Sequence, residues 1–406
     1  MRRMTVLPAF LSVILAAVAS AQEIDPRKAG LDPEKLAPLR ARFQEFVDQQ
    51  HLSGAVVLVA RRGTAGSLEA VGFRDLEVKA PMRPDTIFRI ASMTKPVTAA
   101  GILMLEDEGK LSVDDPVEKH LPEFKGQMMV QSKSGGTVTL VKPPRPITLK
   151  DFLTHTSGLA GLPAGLSDLY KRRHRTLAEA VMAFSQRPLD FEPGSKWSYC
   201  NTGIDTLGRV IEVVSGKRYE DFLEERFFKP LGMKDTFFYA TSERLERAAG
   251  LYKRDKEKLL STDNFLGDLS EGKYPIPAGG LYSTAPDLFR FYQMLLDKGT
   301  FGGRRYLAEA TVDKMTSVQT GDLKAGFVDG MSFGLGVGVV REPKGVTEML
   351  SPGSYGHGGA FGTQGWIDPK KGMIYVLMVQ RVGLPNGDAS EMRKALQSIA
   401  AAAIVE

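Results

Sequence analysis

The sequence predicts an α/β fold of the α+β kind. One antiparallel sheet is built from strands at both ends of the chain and flanked by helices, with an all-helical region inserted between them. Three observations carry this. Aliphatic, β-branched runs bounded by turn residues stand at Gly54–Ala60 and Leu68–Phe73, and again at Phe333–Val340, Gly362–Ile367 and Met373–Val379. Between them apolar residues recur at helical spacing, as in Ile204, Leu207, Ile211 and Val214. The 406 residues are 43% hydrophobic and 25% charged, ordinary globular values with ample length for a large core.

The expected organisation is a leader over residues 1–21 followed by one catalytic unit over 22–406. Its sheet lobe covers about 32–90 and 330–406, and its helical lobe about 91–329. Leu36, Leu39, Phe43 and Phe46 mark one side of a helix over about 32–50. After the first two strands, a helix runs from Ser92 through Leu105 and stops near Gly109, and a short one opens at Asp114 and ends near Pro122. Residues 126–146 read as a hairpin excursion, and Thr148 caps a helix from Leu149 to Thr154. Helices follow over Leu177–Ser185, from Asn201 to a stop at Gly216, and over 219–233 with a Pro-Leu-Gly ending. Residues 240–280 are loop-rich and read as a wrap over a cleft. Ser283-Thr284 caps a helix through Leu296, and a last helix spans about Ala389–Ala402.

Composition excludes several classes. Arg2 and Arg3, the apolar stretch Val6–Val18 and Ala19-Ser20-Ala21 read as a secretory signal, so export to the periplasm or outside is expected. The apolar run is short and broken by Pro8, so no membrane span is expected once it is removed. The single Cys200 excludes an intramolecular disulfide and a multi-cysteine metal site. A formal charge of +5, or +3 without the leader, is too mild to argue for nucleic acid. The run Lys171-Arg172-Arg173-His174-Arg175 reads as a solvated helix face. The five histidines include no H-E-x-x-H pair, so no zinc site is expected, nor any cofactor.

The chemistry centres on Ile90-Ala91-Ser92-Met93-Thr94-Lys95-Pro96. A serine at a helix start meets free N–H groups and the positive end of the dipole, which stabilise developing negative charge. Lys95 lies one turn on, on the same face, and takes the hydroxyl proton if it is itself neutral. Burial and neighbouring cations shift it that way. A second S-x-x-K, Ser270-Glu271-Gly272-Lys273, has no apolar helix behind it and reads as a surface loop. A second acid/base group is needed for the leaving group. Tyr199-Cys200-Asn201 offers a phenol, whose pKa cationic neighbours would lower, and an amide that could hold Lys95 and a substrate carbonyl. Tyr355-Gly356-His357-Gly358-Gly359-Ala360 offers backbone that approaches a ligand closely. Taken singly these read as a core aromatic, a helix cap and a strand-end turn. His155 reads as a buried histidine holding a turn, and Cys200 as a packing thiol.

Together, in this order, the motifs resemble those of the penicillin-recognising serine hydrolases. This is the β-lactamase-related superfamily, in the branch of class C β-lactamases and family VIII carboxylesterases. The likeness spans roughly residues 35–400. It extends to Ile147–Leu159, Phe191-Glu192-Pro193-Gly194 and Gly279–Thr284. It implies a β-lactamase/transpeptidase-like fold, Ser92 as nucleophile, Lys95 as its activating partner, Tyr199 as general base and acid, and Asn201 as an orienting amide. It also implies an oxyanion hole from the N–H groups of Ser92 and Ala360, in the third motif His357-Gly358-Gly359. Class C β-lactamases carry Lys where His357 stands, and a neutral imidazole holds a carboxylate less well. That departure favours ester hydrolysis over β-lactam hydrolysis. Three readings follow: a secreted carboxylesterase acting on small acyl esters through an acyl-enzyme; a class C-like β-lactamase or D-amino-acid peptidase taking a lactam or short peptide; and a catalytically silent binding protein, which intact Ser92, Lys95 and Tyr199 disfavour. Transfer of the acyl group to an alcohol or amine stays open.

Overall fold

Eight strands form one antiparallel sheet. Their order is Met331–Phe333, Gly338–Val340, Tyr355–Gly358, Gln364–Asp368, Met373–Met378, Gly54–Arg61, Thr64–Asp75 and Ala80–Pro81. The computed structural model describes residues 23–267 and 271–405, so the expected leader and Ser270 lie outside the described residues. At the sheet centre, Gly54–Arg61 runs against Met373–Met378, with Val57 opposite Leu377 and Val59 opposite Tyr375. Both faces of that strand are buried. Side chains alternate across a strand, so Val56, Leu58 and Ala60 enter one core and Ala55, Val57 and Val59 the other.

The second core is closed by Leu39, Phe43 and Phe46 of the Pro38–Asp48 helix and by Leu396 and Ala400 of the Glu391–Ala402 helix. The first core is larger. It joins the sheet to Leu288, Phe291 and Tyr292 of the Ala285–Leu296 helix, and beyond them to the helices of the chain's middle. Each fully buried Val, Leu or Phe contributes roughly 1.5–3 kcal/mol, so the two cores dominate the fold's stability. Among the described residues no helix is long and apolar enough to cross a membrane.

Local signals hold where capping chemistry is explicit. Thr148 and Asp151 form a reciprocal capping box on Leu149–Leu153, the Leu177–Ser185 helix has the expected bounds, and Gly216 ends Asn201–Ser215 with φ +71°. The hairpin expected within 126–146 is Met129–Ser134 against Thr137–Val141. Other expectations need correction. The run Phe333–Val340 is two strands separated by Gly334-Leu335-Gly336-Val337, where Gly336 takes φ +76°. The Tyr355–Gly358 stretch is itself a strand. The helix over 219–233 is three pieces, Tyr219–Leu223, a π-helical Glu224–Phe228 and Lys229–Leu231. Pro230 lacks the N–H that would close an α-turn on Arg226. The basic run is not a solvated face throughout. Arg173 is buried, takes φ +48°, and donates to Leu266 O and Phe238 O, both at 3.0 Å.

Candidate active site

Ser92 lies on a 3-10 turn, Ala91–Thr94, that runs directly into the Lys95–Asp107 helix. The serine therefore stands just before the α-helix, where the sequence placed it in the first turn. A 3-10 turn has three residues per turn, so positions i and i+3 eclipse and Lys95 comes back over Ser92. Ala91 takes φ +44°, a conformation that costs on the order of 1–3 kcal/mol for a residue with a Cβ. The surroundings impose it. Ile90 N–H donates to Leu281 O at 3.0 Å, Thr94 Oγ1 to Ala91 O at 2.7 Å, and Leu281 N–H to Thr94 Oγ1 at 3.2 Å.

Three of the predicted residues meet at one oxygen. Lys95 Nζ lies 2.9 Å from Ser92 Oγ, and Tyr199 OH donates to the same Oγ at 2.8 Å. Lys95 is fully buried, and burial lowers its amine to about 7, with the Asp205 carboxylate pulling it back up. The phenol goes the other way. Burial raises Tyr199 above its ordinary value, more than the Ser92 hydrogen bond lowers it. The expected lowering by cationic neighbours is thus not found: desolvation of the phenolate dominates, and the Asp388 and Asp205 carboxylates raise it further. Asn201 opens the Asn201–Ser215 helix but does not hold Lys95. Its Oδ1 is buried without a hydrogen-bond partner among the described residues. The amine is held instead by Ala278 O at 2.6 Å.

Ala278 leads to a residue that sequence reasoning missed. Its N–H donates to Asp205 Oδ1 at 2.8 Å, and Tyr170 OH donates to Oδ2 at 2.8 Å. Asp205 is fully buried, which raises its carboxyl to about 6. It sits one helical turn after Asn201, on a different side of the helix from Ile204, Leu207 and Ile211. No local pattern marks it, since Asn201, Arg209 and Glu212 share that side. Gly208, one turn on again, lets the next segment close in: a Cβ there would lie 2.8 Å from Pro277 Cβ. Thr98 Oγ1 fastens the same segment through Pro277 O at 2.7 Å.

The third motif runs along the sheet edge of the site. His357 Nδ1 lies 2.6 Å from Gly358 O, which makes that nitrogen the protonated one. Its Nε2 is buried without a partner among the described residues, and burial first, then Lys95, lowers the imidazole to about 3. A cation is therefore absent from this position at neutral pH. Gly359 N–H donates to Thr363 O at 2.8 Å, and Thr363 Oγ1 to Ile90 O at 3.3 Å, so the turn leading to Ala360 is tied to the Ser92 segment. A Cβ on Gly359 would overlap Thr363 Oγ1 and Ile90 O. A Cβ on Gly358 would lie 2.5 Å from Gln364 Nε2. Ala360 is exposed. His155 takes φ +58° and accepts from Cys200 N–H at Nδ1, at 3.2 Å, while its ring lies 4.5 Å from that of Tyr199. It braces the Tyr199 turn, and the buried Cys200 thiol points to Leu159 O at 3.2 Å.

This arrangement can deprotonate a serine, protonate a leaving group and offer backbone donors to an oxyanion. Protein Rv1367c of Mycobacterium tuberculosis is 35% identical over 358 residues, covering 84% of this chain and 89% of that protein. Esterase EstB of Burkholderia gladioli is 30% identical over 387 residues, covering 88% and 94%. The solved structure of EstCE1, described as a hydrolase with promiscuous acyltransferase activity, superimposes with a TM-score of 0.75 at 26% identity. It covers 92% of this chain and 99% of its own. The beta-lactamase family model matches residues 39–400, and with these relatives it shows that the chain belongs to the beta-lactamase family of serine hydrolases.

Proposed function

We propose that this protein is an exported carboxylesterase that cleaves small acyl esters through an acyl-enzyme on Ser92. The observation that carries the reading is the convergence of Lys95 Nζ and Tyr199 OH on Ser92 Oγ, with the buried amine brought to about 7. Neutral Lys95 takes the hydroxyl proton as Oγ attacks the ester carbonyl. Ser92 N–H and Ala360 N–H receive the oxyanion. Tyr199, still protonated, gives its proton to the leaving alkoxide and is restored by the Lys95 ammonium. Water then repeats the sequence in reverse to free the acid. The neutral His357 supports an ester over a substrate that must be held by its carboxylate. The basic, apolar, small-residue order of residues 2–21 supports export.

One observation favours a second reading, a β-lactamase or D-amino-acid peptidase. The buried, unpartnered Asn201 Oδ1 suits an amide N–H beside the scissile carbonyl, which lactams and peptides carry and simple esters lack. Side-by-side turnover of p-nitrophenyl butyrate and a chromogenic cephalosporin by wild type and Ser92→Ala decides between them. Ser92-dependent ester cleavage with little lactam cleavage is expected. Fast Ser92-dependent lactam cleavage would promote the second reading.

A further inference from the structure

The loop after Arg381 is tied to the third motif, with Arg381 N–H donating to Phe361 O at 2.9 Å and Gln364 Nε2 to Gly387 O at 3.1 Å. This loop, the Pro38–Asp48 helix and the start of the Glu391–Ala402 helix line a half-open pocket of about 450 Å³. Phe46, Leu384 and Met392 give it apolar walls. Arg42, His51 and Arg381 also line it. Arg254 lies behind His51 and donates to its Nδ1 at 3.0 Å. His51 is therefore neutral at that nitrogen, and burial, then Arg254, Arg381 and Arg42, lowers its pKa.

The charges here are unbalanced. Arg42 is paired with Glu45 at 2.6 Å. Arg254 and Arg381 have no carboxylate partner among the described residues, and the Nε of each is buried without a hydrogen bond. Arg381 is 7% exposed, and its guanidinium donates to the neighbouring Val382 O. The pocket's acidic lining is Glu391, exposed at the helix start. A buried guanidinium left without its acceptors is costly, and a charge-assisted hydrogen bond from an anion relieves that cost. The first turn of the 12-residue Glu391–Ala402 helix adds its positive end at the same place. We propose that this pocket is a second ligand site, separate from Ser92, for an anion that carries an alkyl chain. A carboxylate or phosphate head sits at Arg381 beside the Arg254–His51 pair, and the chain lies on Phe46, Leu384 and Met392. The proposal does not depend on the hydrolytic reading.

The test is calorimetric titration of the whole chain with octanoate, octyl phosphate and octanamide. One saturable site for at least one anion is expected, absent for octanamide and unchanged in Ser92→Ala. The preferred anion identifies the head group as carboxylate or phosphate. Arg381→Gln should weaken binding roughly tenfold or more, as loss of a hydrogen bond to a charged group does. If that variant folds poorly, Gln49→Glu, an exposed isosteric change on the pocket rim, should still weaken the anion severalfold. Binding of neither anion, equal binding of octanamide, or wild-type affinity in folded Arg381→Gln or Gln49→Glu would overturn the proposal.

Discussion

On the proposed mechanism the state of Lys95 sets the pH dependence of the enzyme, and the structure supplies its scale. Burial brings the amine to about 7, so the neutral base is roughly a tenth of the enzyme at pH 6, half at pH 7 and nine tenths at pH 8. If Lys95 activates Ser92, kcat/KM for p-nitrophenyl butyrate rises about tenfold between pH 6 and 8 and is then flat. An ordinary lysine would give a rise of about a hundredfold over the same span with no plateau. Asp205→Asn sharpens the test. The Asp205 carboxylate favours the Lys95 ammonium, so its removal should move the acid limb to lower pH. The amide introduced by that change keeps an acceptor for Ala278 N–H, so the segment that holds Lys95 stays in place. Initial rates from pH 5 to 9, followed at a wavelength insensitive to nitrophenol ionisation, measure both profiles. A tenfold rise per unit continuing through pH 9 would rule out a Lys95 amine lowered to about 7. A limb that does not move, or moves upward, in Asp205→Asn would rule out the carboxylate's hold on it.

Other consequences are independent of that limb. Gly359→Ala forces a Cβ into Thr363 Oγ1 and Ile90 O and displaces the Ala360 donor. If Ala360 N–H is an oxyanion donor, its loss predicts a drop of about 10²–10³ in kcat, beyond the roughly 1–3 kcal/mol of stability that overpacking against the Ile90 backbone costs. His357 is held neutral in the fold down to about 3, whereas an unfolded histidine protonates near 6.5. The unfolded state therefore binds the extra proton first. Stability is full above about pH 6.5 and is lost as pH falls toward 3, a slope that His357→Asn should make shallower in thermal scans. Arg173→Ala strips donors from Leu266 O and Phe238 O, at about 1–3 kcal/mol each. The thermal midpoint should fall clearly, whereas a solvated Arg173 would leave it unchanged.

The sequence was legible where a residue's local chemistry and its tertiary role agree. Thr148, Thr284 and Gly216 mark helix ends because a hydroxyl or a left-handed glycine serves the backbone on its own. The order of sheet and helical segments followed from β-branched apolar runs and helical spacing, and Ser92, Lys95 and Tyr199 lie together as their motifs suggested. What escaped is non-local. The Tyr355–Gly358 strand is glycine-rich and has no strand propensity of its own; it pairs because Gly365 and its neighbours accept a backbone without side chains. The hold on Lys95 comes from a carbonyl, Ala278 O, 183 positions away, which no side-chain pattern reports. Asp205 and Arg173 look like surface charges in sequence, and only non-local contacts, Ala278 for the first and Leu266 and Phe238 for the second, bury them. The opposite shifts of Lys95 and Tyr199 depend on that same burial.

An acyl-enzyme on Ser92 can be observed directly by intact-protein mass spectrometry after rapid mixing with p-nitrophenyl butyrate and acid quench, on wild type and Ser92→Ala. A species heavier by one butyryl group is expected in wild type, located on the peptide containing Ser92, and none in Ser92→Ala. Ester turnover with the butyryl group on another residue, or undiminished turnover in Ser92→Ala, would contradict the Ser92 mechanism.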